Sequence, residues 1–143
     1  MNDIIFSDNL TAQEFSLLRE AVGFAKLTDR QTTACLKNST FLTAVHSADG
    51  QIVGMGRVLF DFGYTAYICD VIVHPDFQRR KIGSKIVDSL IKKTLDSVCN
   101  GEKVMFVLVA AKNKENFYQK LGFDLRPNEN LGAGMSVWLE KGE

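Results

Sequence analysis

Apolar positions along the chain follow two periods. After a short apolar stretch at Ile4 to Phe6, the residues Phe15, Leu18 and Val22 recur at three- and four-residue intervals, which is the spacing of one buried helix face. Thr11-Ala-Gln-Glu14 stands just ahead of that face with the pattern of a capping box, and Thr28-Asp-Arg-Gln31 repeats it before a second helix that Asn38 is placed to close. Phe41 to His46 and Ile52 to Phe60, separated by the turn Ala48-Asp49-Gly50, then predict a β-hairpin. Tyr64 to Val73 is a third strand and the most apolar of the group. From Ile82 the helical period returns: Ile86, Val87, Leu90, Ile91, Leu95 and Val98 share one face, and Lys85, Asp88, Lys92, Lys93 and Asp96 the other. The unbroken run Val104 to Val109 reads as a buried strand. A short helix leads to Tyr118 and ends at Gly122, whose missing Cβ suits the left-handed position past a helix end. Phe123 and Met135 to Leu139 would be the last strands. The order β-α-α-β-β-β-α-β-α-β-β predicts an α/β (α+β) fold, a mixed central sheet flanked by helices.

A chain of 143 residues fits one domain over positions 1–143 with a single sizeable core. Its 17 basic residues balance 17 acidic ones and 45% of positions are hydrophobic, which argues against a nucleic-acid coat or a disordered tail, so any charged partner is met locally. No run approaches the roughly 18 apolar residues of a membrane span, and MNDIIFSDN carries no basic leader; no membrane is expected as a partner and the expected address is cytoplasmic. Cys35, Cys69 and Cys99 are far apart and form no C-x-x-C pair, so neither a disulfide framework nor a metal site is expected.

One stretch departs from this even charge. Gln78-Arg79-Arg80-Lys81-Ile82-Gly83-Ser84 joins the third strand to the long helix, with Lys85 close behind. At such a junction, free N–H groups and the positive end of the helix dipole make an anion site. Gly83 would let a ligand approach the backbone, and the cations supply charge that the whole chain lacks. A phosphate-bearing ligand is one interpretation and a solvated basic helix start is the other. Position 78 is Gln where a Walker A loop ending at Gly83-Ser84 needs Gly, and no G-x-G-x-x-G occurs.

The stretch resembles the acetyl-CoA-binding segment of the GNAT (GCN5-related N-acetyltransferase) superfamily, with its usual pattern Q/R-x-x-G-x-G/A. Phe117-Tyr118-Gln-Lys-Leu-Gly122-Phe123 is similar to the superfamily's F-Y-x-x-x-G-F segment. Leu18 to Phe24, Val53-Gly-Met-Gly-Arg57, Arg126-Pro127 and Gly132-Ala-Gly-Met135 look like features of a bacterial subgroup acting on small molecules. Two positions depart from the pattern: Lys81 stands where it prefers its first Gly, and Ala111 where many members carry an Asn.

The resemblance implies a GNAT fold with a bulged strand that splays from its neighbour, leaving backbone groups to bond the pantetheine arm. By position these belong to Val71, Ile72 and Val73. It implies that the pyrophosphate lies on the N–H groups of Arg79, Arg80, Lys81, Ile82, Gly83 and Ser84, beside Gln78, and that acetyl-CoA is the acetyl donor. A backbone N–H of the bulge would face the thioester oxygen as negative charge develops there. An amine attacks directly, in keeping with the absence of a G-x-S-x-G elbow. Tyr118 matches the family's general acid, which protonates the leaving thiolate; the helix pattern alone also allows a half-buried aromatic beside Phe117.

An Asp inside an apolar strand is costly unless paired or functional, so Asp70 is a candidate general base, with structural hydrogen bonding as the alternative. His46 and His74 have no partner legible in the sequence. Substrate walls in this fold come from the first helices, the central strands and the last hairpin, which points to Phe24, Arg57, Asp61 and Met135. Asp61 could pair a cationic amine, and Arg57 could hold a carboxylate. The expected acceptor is a small primary amine, an aralkylamine or a free amino acid. A protein amine and a CoA-binding regulatory module without turnover are the rivals. Nucleic acid is not an expected partner, given the neutral charge and the lack of interleaved aromatics. A homodimer is compatible with the resemblance.

Overall fold

The computed structural model describes residues 3 to 142. They divide into two compact units, one running to Leu108 and one starting at Val109. The first unit holds β1 (Ile4–Ser7), α1 (Ala12–Ala21), α2 (Asp29–Lys37), β2 (Phe41–Ser47), β3 (Ile52–Phe60), β4 (Thr65–Val73), a 3-10 turn (Pro75–Phe77), α3 (Ile82–Leu95) and β5 (Met105–Val107). Its strands form one sheet in chain order. β1 to β4 pair antiparallel, and β4 pairs β5 in parallel.

Both predicted capping boxes form. The Thr11 hydroxyl accepts from the Glu14 N–H at 3.1 Å while a Glu14 carboxylate oxygen accepts from the Thr11 N–H at 3.0 Å, and Thr28 and Gln31 repeat the exchange at 3.2 and 2.9 Å. Each box satisfies two of the N–H groups that a helix start leaves without a partner, which fixes where α1 and α2 begin.

Helices cover both faces of the sheet, and β3 shows why. Successive strand residues point to opposite faces. Met55 packs with Phe15 and Leu18 of α1 and with Ile52 and Ile72 in one buried cluster, so α1 covers that face. Gly54 and Gly56 lie on the other, where α3 comes so close that a Cβ at Gly56 would meet Ile86 Cγ2 at 2.6 Å and Leu90 Cδ1 at 2.8 Å. At Gly54 a Cβ would meet the Ile72 carbonyl oxygen at 2.9 Å. The buried residues Ile82, Ile86, Val87 and Leu90 take the first turns of the predicted apolar face of α3, whereas Leu95 is 45% exposed. That helix ends at Leu95, one turn before the predicted Val98.

Two expectations change. The run Val104 to Val109 supplies only a three-residue strand with Met105 44% exposed, so it is an edge rather than a buried strand. Neither Phe123 nor Met135 to Leu139 lies in a strand: Val137, Trp138 and Leu139 are 75%, 79% and 86% exposed. Alternating apolar residues report a capacity to pair, and pairing also needs a strand alongside. Among the described residues no helix is long and apolar enough to cross a membrane.

The second unit holds α4 (Glu115–Lys120). Gly122 has a φ of +99°; its N–H donates to the Gln119 carbonyl at 3.0 Å, and the Phe123 N–H to the Tyr118 carbonyl at 3.1 Å. This pair of bonds is the Schellman closure, and glycine takes its left-handed position without the penalty of a Cβ.

Candidate active site

β4 carries a bulge. Met55 lies opposite Ile72 and Arg57 opposite Cys69, so two residues of β3 span three of β4, and Asp70 and Val71 share the single partner Gly56. Asp70 takes a φ of +52°, a left-handed conformation that Asp tolerates better than most residues. On its other flank β4 pairs β5 only at Thr65, Ala66 and Tyr67. From Ile68 to Val73 that flank has no strand partner among the described residues. Val71, Ile72 and Val73 therefore stand where the strands splay. The Val73 carbonyl accepts from the Gln78 side-chain amide at 3.0 Å, which ties the end of the strand to the start of the loop.

The loop is shaped to receive an anion. Arg79 and Lys81 have φ of +65° and +63° on either side of Arg80, and left-handed residues interleaved in this way turn consecutive N–H groups into a concave nest. No protein acceptor for the N–H groups of Arg79 to Ser84 is found among the described residues; those of Ile82, Gly83 and Ser84 form the open first turn of α3. The Ser84 hydroxyl donates to the Lys81 carbonyl at 2.9 Å, and the Arg80 guanidinium sits 5.4 Å from the Phe77 ring centroid. Donors, dipole and cations together fit the diphosphate of a coenzyme A ester, and the free strand edge ahead of them fits an amide-bearing arm.

Lys81 now has a physical account. It is the residue before α3, left-handed and without a side-chain cap, at the position where the family pattern prefers Gly. The conformation costs a side-chain-bearing residue about 1–2 kcal/mol, partly offset because Lys restricts the unfolded chain more than Gly does, an effect of about 0.4–1 kcal/mol. Lys81→Gly is therefore expected to raise stability by up to about 1 kcal/mol, measured as an increased urea midpoint at unchanged slope. A lowered midpoint would mean that the Lys side chain holds the loop.

Asp70 is gripped from two sides. Arg19 Nη1 donates to its Oδ1 at 2.6 Å and Arg57 Nε to its Oδ2 at 2.8 Å, and the three side chains are only 12%, 12% and 9% exposed. The two guanidinium carbons lie 5.7 and 5.9 Å from the Phe15 ring centroid, and that of Arg19 also 5.5 Å from Phe24. Arg57 further donates to the Ser39 hydroxyl at 3.4 Å. Phe24, Arg57 and Asp70, named from sequence, thus fall in one cluster, and Arg19, which the sequence reading missed, joins them. Its signal was available: Arg19 follows Phe15 by four positions, so it is a cation on the buried face of α1 and requires a partner.

Asp61 belongs elsewhere. It sits at the far end of the β3–β4 hairpin, and its carboxylate accepts from the Gly63 and Thr65 N–H groups at 2.8 and 3.1 Å, which lower its pKa from the ordinary carboxylate value. The motif D-x-G is an Asx turn, and that signal was also legible. His46 bonds Glu14 through Nε2 at 2.7 Å, while His74 Nδ1 accepts from the Asp76 N–H and caps the 3-10 turn. Burial pushes the Cys69 thiol up to about 11, so it is no thiolate at neutral pH. Among the described residues no group of His, Cys, Asp and Glu is arranged to hold a metal ion.

A cleft of about 270 Å³ opens between α1, α2 and their linker, with Arg19, Glu20, Phe24, Leu27 and Asp29 among its walls. In the second unit, Tyr118 lies half-buried with its ring edge-on to Phe117 and Phe123 at 4.9 and 5.9 Å between centroids. Burial raises its phenol above the ordinary value of 10.0, so it stays protonated at neutral pH. Met135, in the same unit, is 93% exposed.

Comparison with known proteins agrees with this geometry. The profile of the acetyltransferase (GNAT) family matches residues 8–123. An N-acetyltransferase of the red alga Pyropia yezoensis, ycf52, itself uncharacterized, is 31% identical over 131 residues, covering 88% of this chain and 73% of its own length. The histone acetyltransferase TAP1 of Glycine max is 27% identical over 89% of this chain and 58% of its own. Among solved structures, the SA2161 protein of meticillin-resistant Staphylococcus aureus superposes with a TM-score of 0.81 at 26% identity, over 97% of this chain and all of that one. Glucosamine-6-phosphate N-acetyltransferase of Arabidopsis thaliana shares the fold, with a TM-score of 0.70 at 18% identity over 96% and 99% of the two chains. With the bulged strand, the open anion loop and a family match across both, the chain belongs to the GNAT family of N-acetyltransferases, whose donor is acetyl-CoA.

Proposed function

We propose that the protein moves an acetyl group directly from acetyl-CoA to the primary amine of a small molecule, and that the amine is an aralkylamine. The observation that carries the donor half is the continuity of the bulge with the nest: Asp70 and Val71 open the strand, and Arg79 to Ser84 present free N–H groups a few residues on. The bound donor supplies an activated acyl carbon and a good leaving group. Backbone groups of Val71, Ile72 and Val73 bond its arm, and an N–H of the bulge faces the thioester oxygen. The amine nitrogen bonds to the acyl carbon, the carbon–sulfur bond breaks, and Tyr118 gives its proton to the departing sulfur. Tyr118 takes this role from its place in the F-Y-x-x-x-G-F segment and from a phenol kept neutral by burial.

Asp70 is better suited to holding the bulge than to taking the amine proton, because each of its oxygens already accepts a guanidinium N–H. Water is left as the carrier of that proton. Arg57 is occupied in the same way, which weakens the case for an amino-acid carboxylate there. The cleft instead offers apolar walls at Phe24 and Leu27, with the carboxylates Glu20 and Asp29 beside them and Lys26 and the Asp70-paired Arg19 also on its lining, so a cation on an apolar body has carboxylates to meet there.

Free thiol release from acetyl-CoA, followed with aralkylamines, free amino acids and a lysine peptide, tests this. Turnover with the aralkylamines is expected. Turnover confined to amino acids or to the peptide would overturn the acceptor class, and donor binding without turnover on any amine would favour a regulatory module.

A further inference from the structure

One guanidinium group connects the two halves of the proposed site. Arg19 Nη1 donates to Asp70 at the β4 bulge, and Nη2 donates to the Ala25 carbonyl at 2.7 Å in the linker that walls the cleft. Phe15 and Phe24 flank the same group, and little of it is exposed. The fork of an arginine is planar and rigid, so its two bonds fix the distance between their acceptors in a way a flexible point charge does not. Asp70 is left-handed, and the direction in which β4 continues from it sets where the Val71 to Val73 backbone groups point.

We infer that Arg19 is a positioning residue: it locks the cleft wall at Ala25 to the bulge at Asp70, and so sets where an acceptor amine lies relative to the acyl carbon. The inference rests on the function proposed above for the chemistry it serves, while the mechanical link stands on the bonds alone. Arg57 keeps its own bond to Asp70 when Arg19 is removed, so the carboxylate retains a cation and the bulge retains a reason to form.

Arg19→Met keeps most of the apolar stem and deletes both bonds. A misplacement of about 1 Å between reacting groups costs on the order of 10²-fold, so a kcat lower by about 10–100-fold is expected, with a raised KM for the amine and a dissociation constant for acetyl-CoA within about twofold of the parent. Arg19→Lys should recover little, because one ammonium group does not bridge both acceptors in a fixed plane. The control is Lys93→Met, which removes bonds to the Leu42 carbonyl and the Thr43 hydroxyl on a different part of the unit.

Amide hydrogen exchange provides the readout that needs no turnover: Arg19→Met should speed exchange in both the 23–28 and 69–74 segments, and Lys93→Met in neither. Parental exchange in either segment of Arg19→Met, parental kinetics, or an activity loss that merely follows melting temperature as in Lys93→Met would overturn the inference. If the parent protein shows no turnover while exchange responds in both segments, the proposed function fails and the link survives.

Discussion

Replacing Tyr118 with Phe should lower kcat by about 10²–10⁴-fold, the usual span for loss of a general acid. The leaving group is a thiolate that needs a proton, and Tyr118 is the residue to which the proposed mechanism gives that task. The ring packs edge-on between Phe117 and Phe123, so Phe fills the same space and α4 keeps its Schellman closure; acetyl-CoA affinity should hardly move. The same burial fixes a pH dependence. A phenol whose neutral form is favoured loses its proton only above the ordinary 10.0, so kcat/KM should stay level on the alkaline side until pH exceeds about 10 and then fall. Steady-state kinetics across pH reads both effects. Unchanged turnover in Tyr118→Phe would remove the residue from the mechanism, and an alkaline limb well below pH 10 in the parent would assign that limb to another group.

Gly56→Val should destabilise the sheet strongly. A Cβ alone meets Ile86 Cγ2 at 2.6 Å and Leu90 Cδ1 at 2.8 Å, and both of these side chains are fully buried. The branched Ile86 has little rotamer freedom with which to retreat, so α3 must lift from β3. Overpacking of this kind costs about 1–3 kcal/mol, and the two further methyl groups of Val place it at about 3 kcal/mol. Gly56 is also the single residue opposite Asp70 and Val71, so acetyl-CoA binding should weaken together with stability. Urea unfolding and calorimetry on one preparation test the pair of effects. A variant with the parental urea midpoint would mean that the α3 contact is looser than these distances.

Local features of the chain were legible in the sequence because they depend on neighbours in sequence. Thr11 with Glu14 and Thr28 with Gln31 cap their helices as their spacing predicts, Gly122 closes α4, and the apolar face of α3 follows its period as far as Leu90, beyond which Leu95 is exposed. The basic strand-to-helix junction at Gln78 to Ser84 was legible through its motif, and the structure adds why Lys81 replaces a glycine awkwardly there. What escaped depends on distance along the chain: Arg19 meets Asp70 across 51 residues and Glu14 meets His46 across 32, and no periodicity encodes such pairs. Asp61 differs again: its bonds to the Gly63 and Thr65 N–H groups are local turn chemistry and readable from the D-x-G spacing. The segment Met135 to Leu139 shows the converse, a strand-like pattern that no strand partners among the described residues.

Direct titration of the protein with acetyl-CoA by calorimetry tests the central claim, that the bulge of β4 and the nest of Arg79 to Ser84 form a donor site. Binding of one equivalent is expected, weakened when Gly83 is replaced by Glu, which sets a carboxylate against the diphosphate. No heat and no competition from free coenzyme A would contradict the account and leave the nest without its ligand.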